Sequence, residues 1–216
     1  MNRGWNCDMS QNLRTSIEEN LAKLTDLLKS SEIVVLRLNH RPRDFRVTTH
    51  ACLTARAFGA NGVIIADTEA KGIIEKIDSL SIAWGGGFWV RDSVATDRVI
   101  NVWRSLGGVI INLSMYGEDL RNVLSDLYFL RHVQLKPFLV MVGSSKVPAK
   151  MYTIADYNIS ITNQPHSEVA ALAIFLDKIH GGNWPRYTEG KVRMNPSLKG
   201  KGRISIMRTV GSDEET

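Results

Sequence analysis

Five short apolar runs constrain this chain more than any other feature: Ile33–Leu38, Gly62–Ala66, Val109–Leu113, Phe138–Val142 and Tyr157–Ile161. Most lack polar alternation. A strand that is apolar at every position is buried on both faces, which is the mark of a parallel sheet covered by helices. Helical patterns lie between the runs, at His50–Phe58, Ala70–Leu80, Thr96–Leu106, Leu120–Arg131, Ala149–Ala155 and Pro165–Ile179. This alternation predicts an α/β doubly wound domain. In the last helix Pro165 suits the first turn, where a missing N–H costs nothing, and Gly181 and Gly182 follow the end. Residues 11–30 read as a further amphipathic helix, with Leu13, Ile17, Leu21, Leu24 and Leu28 along one face.

With 216 residues, 44% hydrophobic and 23% charged, the chain is long and apolar enough for one globular domain with extensions. The division expected is a helical extension over 1–30, a main α/β domain over 31–180 and a basic extension over 181–216. No apolar run approaches the roughly 18 residues of a membrane span, and Met1–Ser30 has no signal-peptide core, so a cytoplasmic protein is expected. The two cysteines, Cys7 and Cys52, lack CxxC spacing and a histidine cluster, so they read as reduced thiols, and no metal site is expected. The absence of GxSxG and HExxH argues against hydrolase and metalloprotease chemistry.

Charge points to a polyanionic partner. From Gly181 to Val210 seven basic residues (Arg186, Lys191, Arg193, Lys199, Lys201, Arg203, Arg208) against one acidic, Glu189, leave +6, more than the +5 of the whole chain. Polyphosphate binding uses such a concentration, because each neutralised phosphate releases counterions; a solvated surface hairpin is the alternative.

In open α/β sheets ligands sit beyond the carboxyl ends of strands, so the loops there carry the information. The first, Asn39–Arg46, holds His40, Arg41, Arg43 and Arg46, and arginine forks match phosphate oxygens in planar two-bond geometry. The second is Leu113–Gly117 and the third Gly143–Pro148; neither is a dinucleotide fingerprint or a complete Walker loop. The fourth, Ile161–Glu168, is polar nearly throughout; capping the next helix would occupy an Asn or Ser but does not call for Gln164, His166 and Glu168 together. The run Trp84–Phe88, WGGGF, reads as a flexible turn rather than a phosphate cradle.

At these loops the chain resembles a known family. The strings VLRLNHRPRDFRVTTHACLTARAFGANGVIIA (35–66), NLSMYG (112–117) and VGSSKVPAKMYTIADYNISITNQPHSEVAALAIFLD (142–177) are similar to the archaeal tRNA (cytidine-56) 2'-O-methyltransferases of the SPOUT superfamily. The resemblance implies a SPOUT-type parallel sheet with a C-terminal trefoil knot, and S-adenosylmethionine as cofactor. By position its site would be Leu113, then Gly143, Ser144, Ser145, Lys146 and Val147, then Ile161, Thr162, Asn163, Gln164, Pro165, His166, Ser167 and Glu168. It also implies a homodimer acting on a cytidine ribose in the TΨC loop of tRNA. Two departures stand out: the family usually has Ala-Glu at Ser144-Ser145, and one more residue between the proline and arginine of the HRP segment.

Methylating a ribose needs an electrophilic methyl, which the cofactor brings, and a 2'-hydroxyl whose proton is accepted or shared. Relatives assign an arginine to this step, and the candidates here are Arg41, Arg43 and Arg46. Arginine, with a pKa above about 12, is an awkward base. An easier role is to clamp the neighbouring phosphate and orient the hydroxyl, with Arg46 nearest the reaction and Arg43 on phosphate. RNA contacts are expected from Arg41, Arg43, Arg186, Lys191, Arg193, Lys199, Lys201 and Arg203. Gln164, His166 and Glu168 would hold either the cofactor's amino acid end or the target base. A SPOUT enzyme acting on another RNA site, and an RNA-binding protein that has lost transfer chemistry, are the rival readings.

Overall fold

The structure, a computed structural model, describes residues 19, 21–143 and 147–206. Leu13, Ile17, Cys7, Ser144, Ser145, Lys146 and Arg208 lie outside the described residues. Helix α1 (21–29) leads into β1 (Ile33–Leu38), a 3-10 turn (Pro42–Asp44), α2 (Phe45–Ala57), β2 (Gly62–Ala66), α3 (Lys71–Trp84), β3 (Trp89–Val94) and α4 (Thr96–Ser105). Then follow β4 (Val109–Asp119), α5 (Leu120–Tyr128), a π turn (Phe129–Val133), β5 (Phe138–Gly143), α6 (Ala149–Ile154), β6 (Tyr157–Ser160), α7 (Glu168–Ile179), β7 (Val192–Asn195) and β8 (Arg203–Ile206).

Strands β1–β6 form one parallel sheet in the order β3-β2-β1-β5-β4-β6. Successive side chains of a strand point to opposite faces. Ile33, Val35, Val63, Ile65 and Val140 therefore pack on one face with Cys52 of α2, Ile73 and Ile77 of α3, and Leu172 and Phe175 of α7. Val34, Leu36, Ile64, Leu139 and Met141 pack on the other with Leu24 and Leu28 of α1, Val99 and Trp103 of α4, and Met151 of α6. Two covered faces are the reason the central strands show no polar alternation. Burial pushes the Cys52 thiol up to about 12, so this cysteine is a core residue rather than a nucleophile.

Three elements differ from the expected pattern. Strand β3 was not anticipated, because only Trp89 and Val90 are buried and the following residues turn outward at the sheet edge. Helix α2 begins at Phe45 rather than His50, which puts Arg46 in its first turn. Helix α7 begins at Glu168, with Ser167 as its cap accepting from the Val169 N–H at 3.2 Å. The serine satisfies the exposed amide, so Pro165 lies in the preceding loop instead of the first turn.

The pairing of β4 with β6 is unusual. Residues 111–113 pair with 157–159, and Glu118 and Asp119 then pair with Ile159 and Ser160. The register shift leaves Ser114–Gly117 as an unpaired arch between the two paired stretches of β4, as an insertion in one strand does where two of its residues face one on the partner. Gly117 makes the approach possible: a Cβ there would stand 2.5 Å from the Asn158 carbonyl carbon.

After α7 the chain forms the expected β appendage outside the main sheet, an antiparallel hairpin pairing Val192 with Ile206 and Met194 with Ile204. The segment leading to it is anchored. Trp184 packs edge-on against Phe58 with centroids 5.3 Å apart, and Tyr187 donates to the Arg56 carbonyl at 3.0 Å. The Arg56 guanidinium lies 4.8 Å over the Tyr187 ring and donates to the Gly85 carbonyl at 2.6 Å. Gly86, at φ +79, receives that ring: a Cβ would fall 2.4 Å from it. The WGGGF run is thus a seat for the tail rather than a free turn. The seat is built from the C-terminal ends of α2 and α3, at the amino edge of the parallel sheet.

Overpacking and a disfavoured backbone angle act together at Gly86, so Gly86→Ala should destabilise the protein by about 1–3 kcal/mol. Limited proteolysis should then cut within 183–191 before the sheet unfolds. Unchanged protection there would show that the seat does not hold the tail.

Candidate functional site

Beyond the carboxyl ends of β4, β5 and β6 lies a cavity of about 790 Å³. That volume suits a small-molecule ligand, and its walls are largely apolar, as such sites usually are. Leu113 to Tyr116 line it from the irregular stretch of β4, Gly143 and Val147 from the end of β5 and beyond it, and Ile161, Pro165, His166 and Glu168 from the loop after β6 and the start of α7. Three loops separated in sequence converge because parallel neighbours end at the same edge of the sheet.

Local contacts hold these loops in place. The Asn163 amide donates to the Met115 carbonyl at 2.7 Å, tying the loop after β6 to the arch above it. The Ser114 hydroxyl and the Tyr152 hydroxyl share a hydrogen bond of 2.9 Å, which links the arch to α6. Asp156 accepts from the Ile110 N–H at 2.8 Å and from Arg104 at 2.7 Å, and Asn158 donates to the Tyr152 carbonyl at 2.8 Å. These carboxylate and amide contacts explain the ADYN segment: it sets β6 against β4, α4 and α6. His166 Nδ1 donates to the Gln164 carbonyl at 2.9 Å, holding the ring at the cavity wall.

Of the cofactor residues expected from sequence, Leu113, Gly143, Val147, Ile161, Pro165, His166 and Glu168 line the cavity. Thr162, Asn163, Gln164 and Ser167 do not; Asn163 and Ser167 instead staple the arch and cap α7. Ser114, Met115 and Tyr116 of the second loop line it beside Leu113, and Ala149, Tyr152, Ile159 and Ala171 line it without having been anticipated. Tyr152 and Ala171 lie on helices and Ile159 inside a strand, so the turn signals used to find the loops pass over them.

The arginines of the first loop are not in this cavity. Arg41 pairs with Asp44 at 2.9 Å across the 3-10 turn, while Arg43 and Arg46 are exposed. Arg186, Lys191, Arg193, Lys199, Lys201 and Arg203 are also exposed, on the segment and hairpin that follow α7. The structure adds Arg37, which the sequence reading treated as part of an apolar strand. Its side chain is wholly buried and forms an ion pair with Glu168 at 2.9 Å. One charged residue in the run IVVLRL was its signal. Among the described residues no group of His, Cys, Asp and Glu could hold a metal ion, and no helix is long and apolar enough to cross a membrane.

Residues 84–204 match the family model described as tRNA ribose 2'-O-methyltransferase, aTrm56. The tRNA (cytidine(56)-2'-O)-methyltransferase of Methanocella arvoryzae is 43% identical over 176 residues, covering 80% of this chain and 97% of that protein. Its counterpart in Methanopyrus kandleri is 44% identical over 171 residues, covering 78% and 93% respectively. Among solved structures, the A. aeolicus TrmH/SpoU tRNA modifying enzyme shares the fold, with a TM-score of 0.53 over 77% of this chain and 84% of that one at 19% identity. On these sequence matches, and with the same sheet beneath them, the chain belongs to the archaeal tRNA ribose 2'-O-methyltransferase family.

Proposed function

We propose that this protein methylates the ribose 2'-hydroxyl of cytidine 56 in the TΨC loop of tRNA, using S-adenosylmethionine held in the cavity beyond β4, β5 and β6. The observation that carries the reading is the convergence of the three expected loops on one cavity, in a chain 43% identical to cytidine-56 methyltransferases. Leu113, Val147, Ile159, Ile161 and Ala171 offer an apolar bed for an adenine ring, and Glu168 and His166 add polar groups to the lining. Bound there, S-adenosylmethionine supplies the electrophilic methyl group. The register shift between β4 and β6, with the Asn163 bond from the loop after β6 to the Ser114–Gly117 arch, supports a trefoil-knotted chain, which we include in the reading despite the rarity of knots.

The protein's own part is positioning. Arg46, exposed in the first turn of α2, orients the ribose hydroxyl, and Arg43 holds the neighbouring phosphate while phosphate or water takes the proton. Neither lines the cavity within one chain, which supports a homodimer whose knot regions pack together, so that the arginines of one copy face the cavity of the other. Tyr116, 78% exposed on the arch, and Phe129, 52% exposed on the π turn, are large apolar residues free for such a contact. The hairpin cations Lys199, Lys201 and Arg203 add sequence-independent affinity for the tRNA backbone. A cytoplasmic location fits this substrate.

Incubation with labelled cofactor and unmodified tRNA should give a labelled linkage that resists alkali, since only a blocked 2'-hydroxyl protects its phosphodiester. Arg46→Ala should lower turnover by about 10²-fold or more and leave cofactor affinity nearly unchanged. A variant with most of its activity removes Arg46 from the reaction, and an alkali-labile product removes ribose as the target.

The partner arrangement has its own test. Arg46→Ala and a cavity-filling Ala171→Trp should each be inactive alone, yet regain activity when the two are mixed and allowed to exchange copies. Persistent inactivity of the mixed dimers would mean that each chain supplies both its own cavity and its own arginine.

Residues 184–187 are packed against the fold, so removing the whole tail would disturb more than RNA affinity. Neutralising Lys199, Lys201 and Arg203 to Gln is the cleaner change. The Kd for tRNA should rise and its logarithmic salt dependence should become shallower by up to about one unit per lost phosphate contact. An unaltered salt slope would leave the hairpin outside the RNA interface.

A further inference from the structure

Strand β1 carries a single charge in its apolar run, and Arg37 is 0% exposed. A buried guanidinium persists only where its donors find acceptors. Here Nη1 donates to the Gly143 carbonyl at 2.7 Å, Nη2 to the Glu168 carboxylate at 2.9 Å, and Nε to the Thr48 hydroxyl at 3.4 Å. The acceptors belong to three different elements: the end of β5, the first turn of α7 and the first half of α2.

They also face two different tasks. Gly143 and Glu168 line the cavity, from separate loops. Thr48 stands two residues beyond Arg46, and its hydroxyl meets His40 Nδ1 at 2.9 Å, where the arginine loop begins. Burial, and then the adjacent Arg37 cation, hold the His40 imidazole below its usual pKa despite the opposing charge of Asp44. One buried fork therefore touches the cofactor side of the site with two nitrogens and the arginine side with the third.

We propose that Arg37 is a positioning residue for methyl transfer, coupling the shape of the cofactor cavity, through Gly143 and Glu168, to the placement of the arginine-bearing turn, through Thr48 and His40. The proposal rests on the function assigned above. It requires the fork as well as the charge: a lysine ammonium is a point charge that lacks arginine's fixed planar donors. Arg37 itself does not line the cavity, so it acts through the groups it holds.

The two branches can be cut separately. Calorimetric Kd for S-adenosylmethionine, single-turnover rate at saturating cofactor and tRNA, and Tm are measured for the unaltered chain, Arg37→Lys, Glu168→Gln and Thr48→Val. Arg131→Met is the control, because Arg131 is another buried arginine, paired with Glu32 at the opposite edge of the sheet from the cavity. Glu168→Gln should raise the cofactor Kd by about tenfold and leave the saturated rate within a few-fold, the size of an ordinary coupling between sites. Thr48→Val should do the reverse, and Arg37→Lys should do both.

Arg131→Met should lower Tm without moving either functional parameter. The proposal is overturned if Arg37→Lys matches the unaltered chain in Kd and rate. It is equally overturned if Glu168→Gln and Thr48→Val change both parameters in the same proportion, since that is the signature of general loosening. Failure of the unaltered chain to bind S-adenosylmethionine would instead strike the function assigned above, and the inference with it.

Discussion

Parallel strands that are apolar on both faces must be sealed by helices on both sides, and that constraint leaves the ends of the sheet as the natural places to receive a ligand. In this chain the sealing is thorough. Val34, Val35, Leu36 and their neighbours in β2 and β5 are buried whichever way they point, and the helices that cover them are divided between the two faces. The carboxyl edge of β4, β5 and β6 is where the covering opens into a cavity. Everything proposed about chemistry follows from loops being delivered to that edge by the sheet.

The cavity differs from an ordinary doubly wound crevice in its roof. Because Ile159 pairs with both Leu113 and Glu118, the arch between them is looped out of β4 beside the chain leaving β6. Asn163 then bonds the arch from below. A loop held by backbone pairing at both feet and a side-chain staple at its crown has few alternative shapes, which is what preorganised binding requires. The buried guanidinium of Arg37 serves the opposite wall in the same way, holding a carbonyl and a carboxylate that would otherwise depend on loop conformation.

The basic tail is organised from the other end of the molecule. Its anchor, where Tyr187 lies against Gly86 and under Arg56, is formed by the C-termini of α2 and α3, and these lie at the amino edge of the sheet. The candidate cavity opens at the carboxyl edge. A tRNA that engages both the cavity and the hairpin of one chain must therefore span the length of the sheet, or the hairpin serves the site of a second copy. Either arrangement suits a large folded RNA better than a short oligonucleotide.

Much of this was legible in the chain itself. Continuous apolar runs between helical patterns point to strands covered on both faces, and the loops beginning at Leu113, Gly143 and Ile161 could be singled out from the position of a strand end alone. In the polar segment Ile161–Glu168, Ser167 caps α7, while His166 and Glu168 line the cavity and Gln164 does not. Other features had no local signature. Strand β3 is half polar, Tyr152 and Ala171 look like ordinary helix residues, and the glycines of WGGGF resemble any loose turn until Tyr187 arrives from a hundred residues away. The sequence by itself determined the alternating elements, the families of apolar faces and the excess of positive charge near its end, since these depend on short-range periodicity and composition. Only the tertiary structure decided that Arg37 bridges the end of β5, α7 and α2, that the first-loop arginines stay outside the cavity and that one residue of β6 pairs with two of β4, because each depends on which distant groups come within reach.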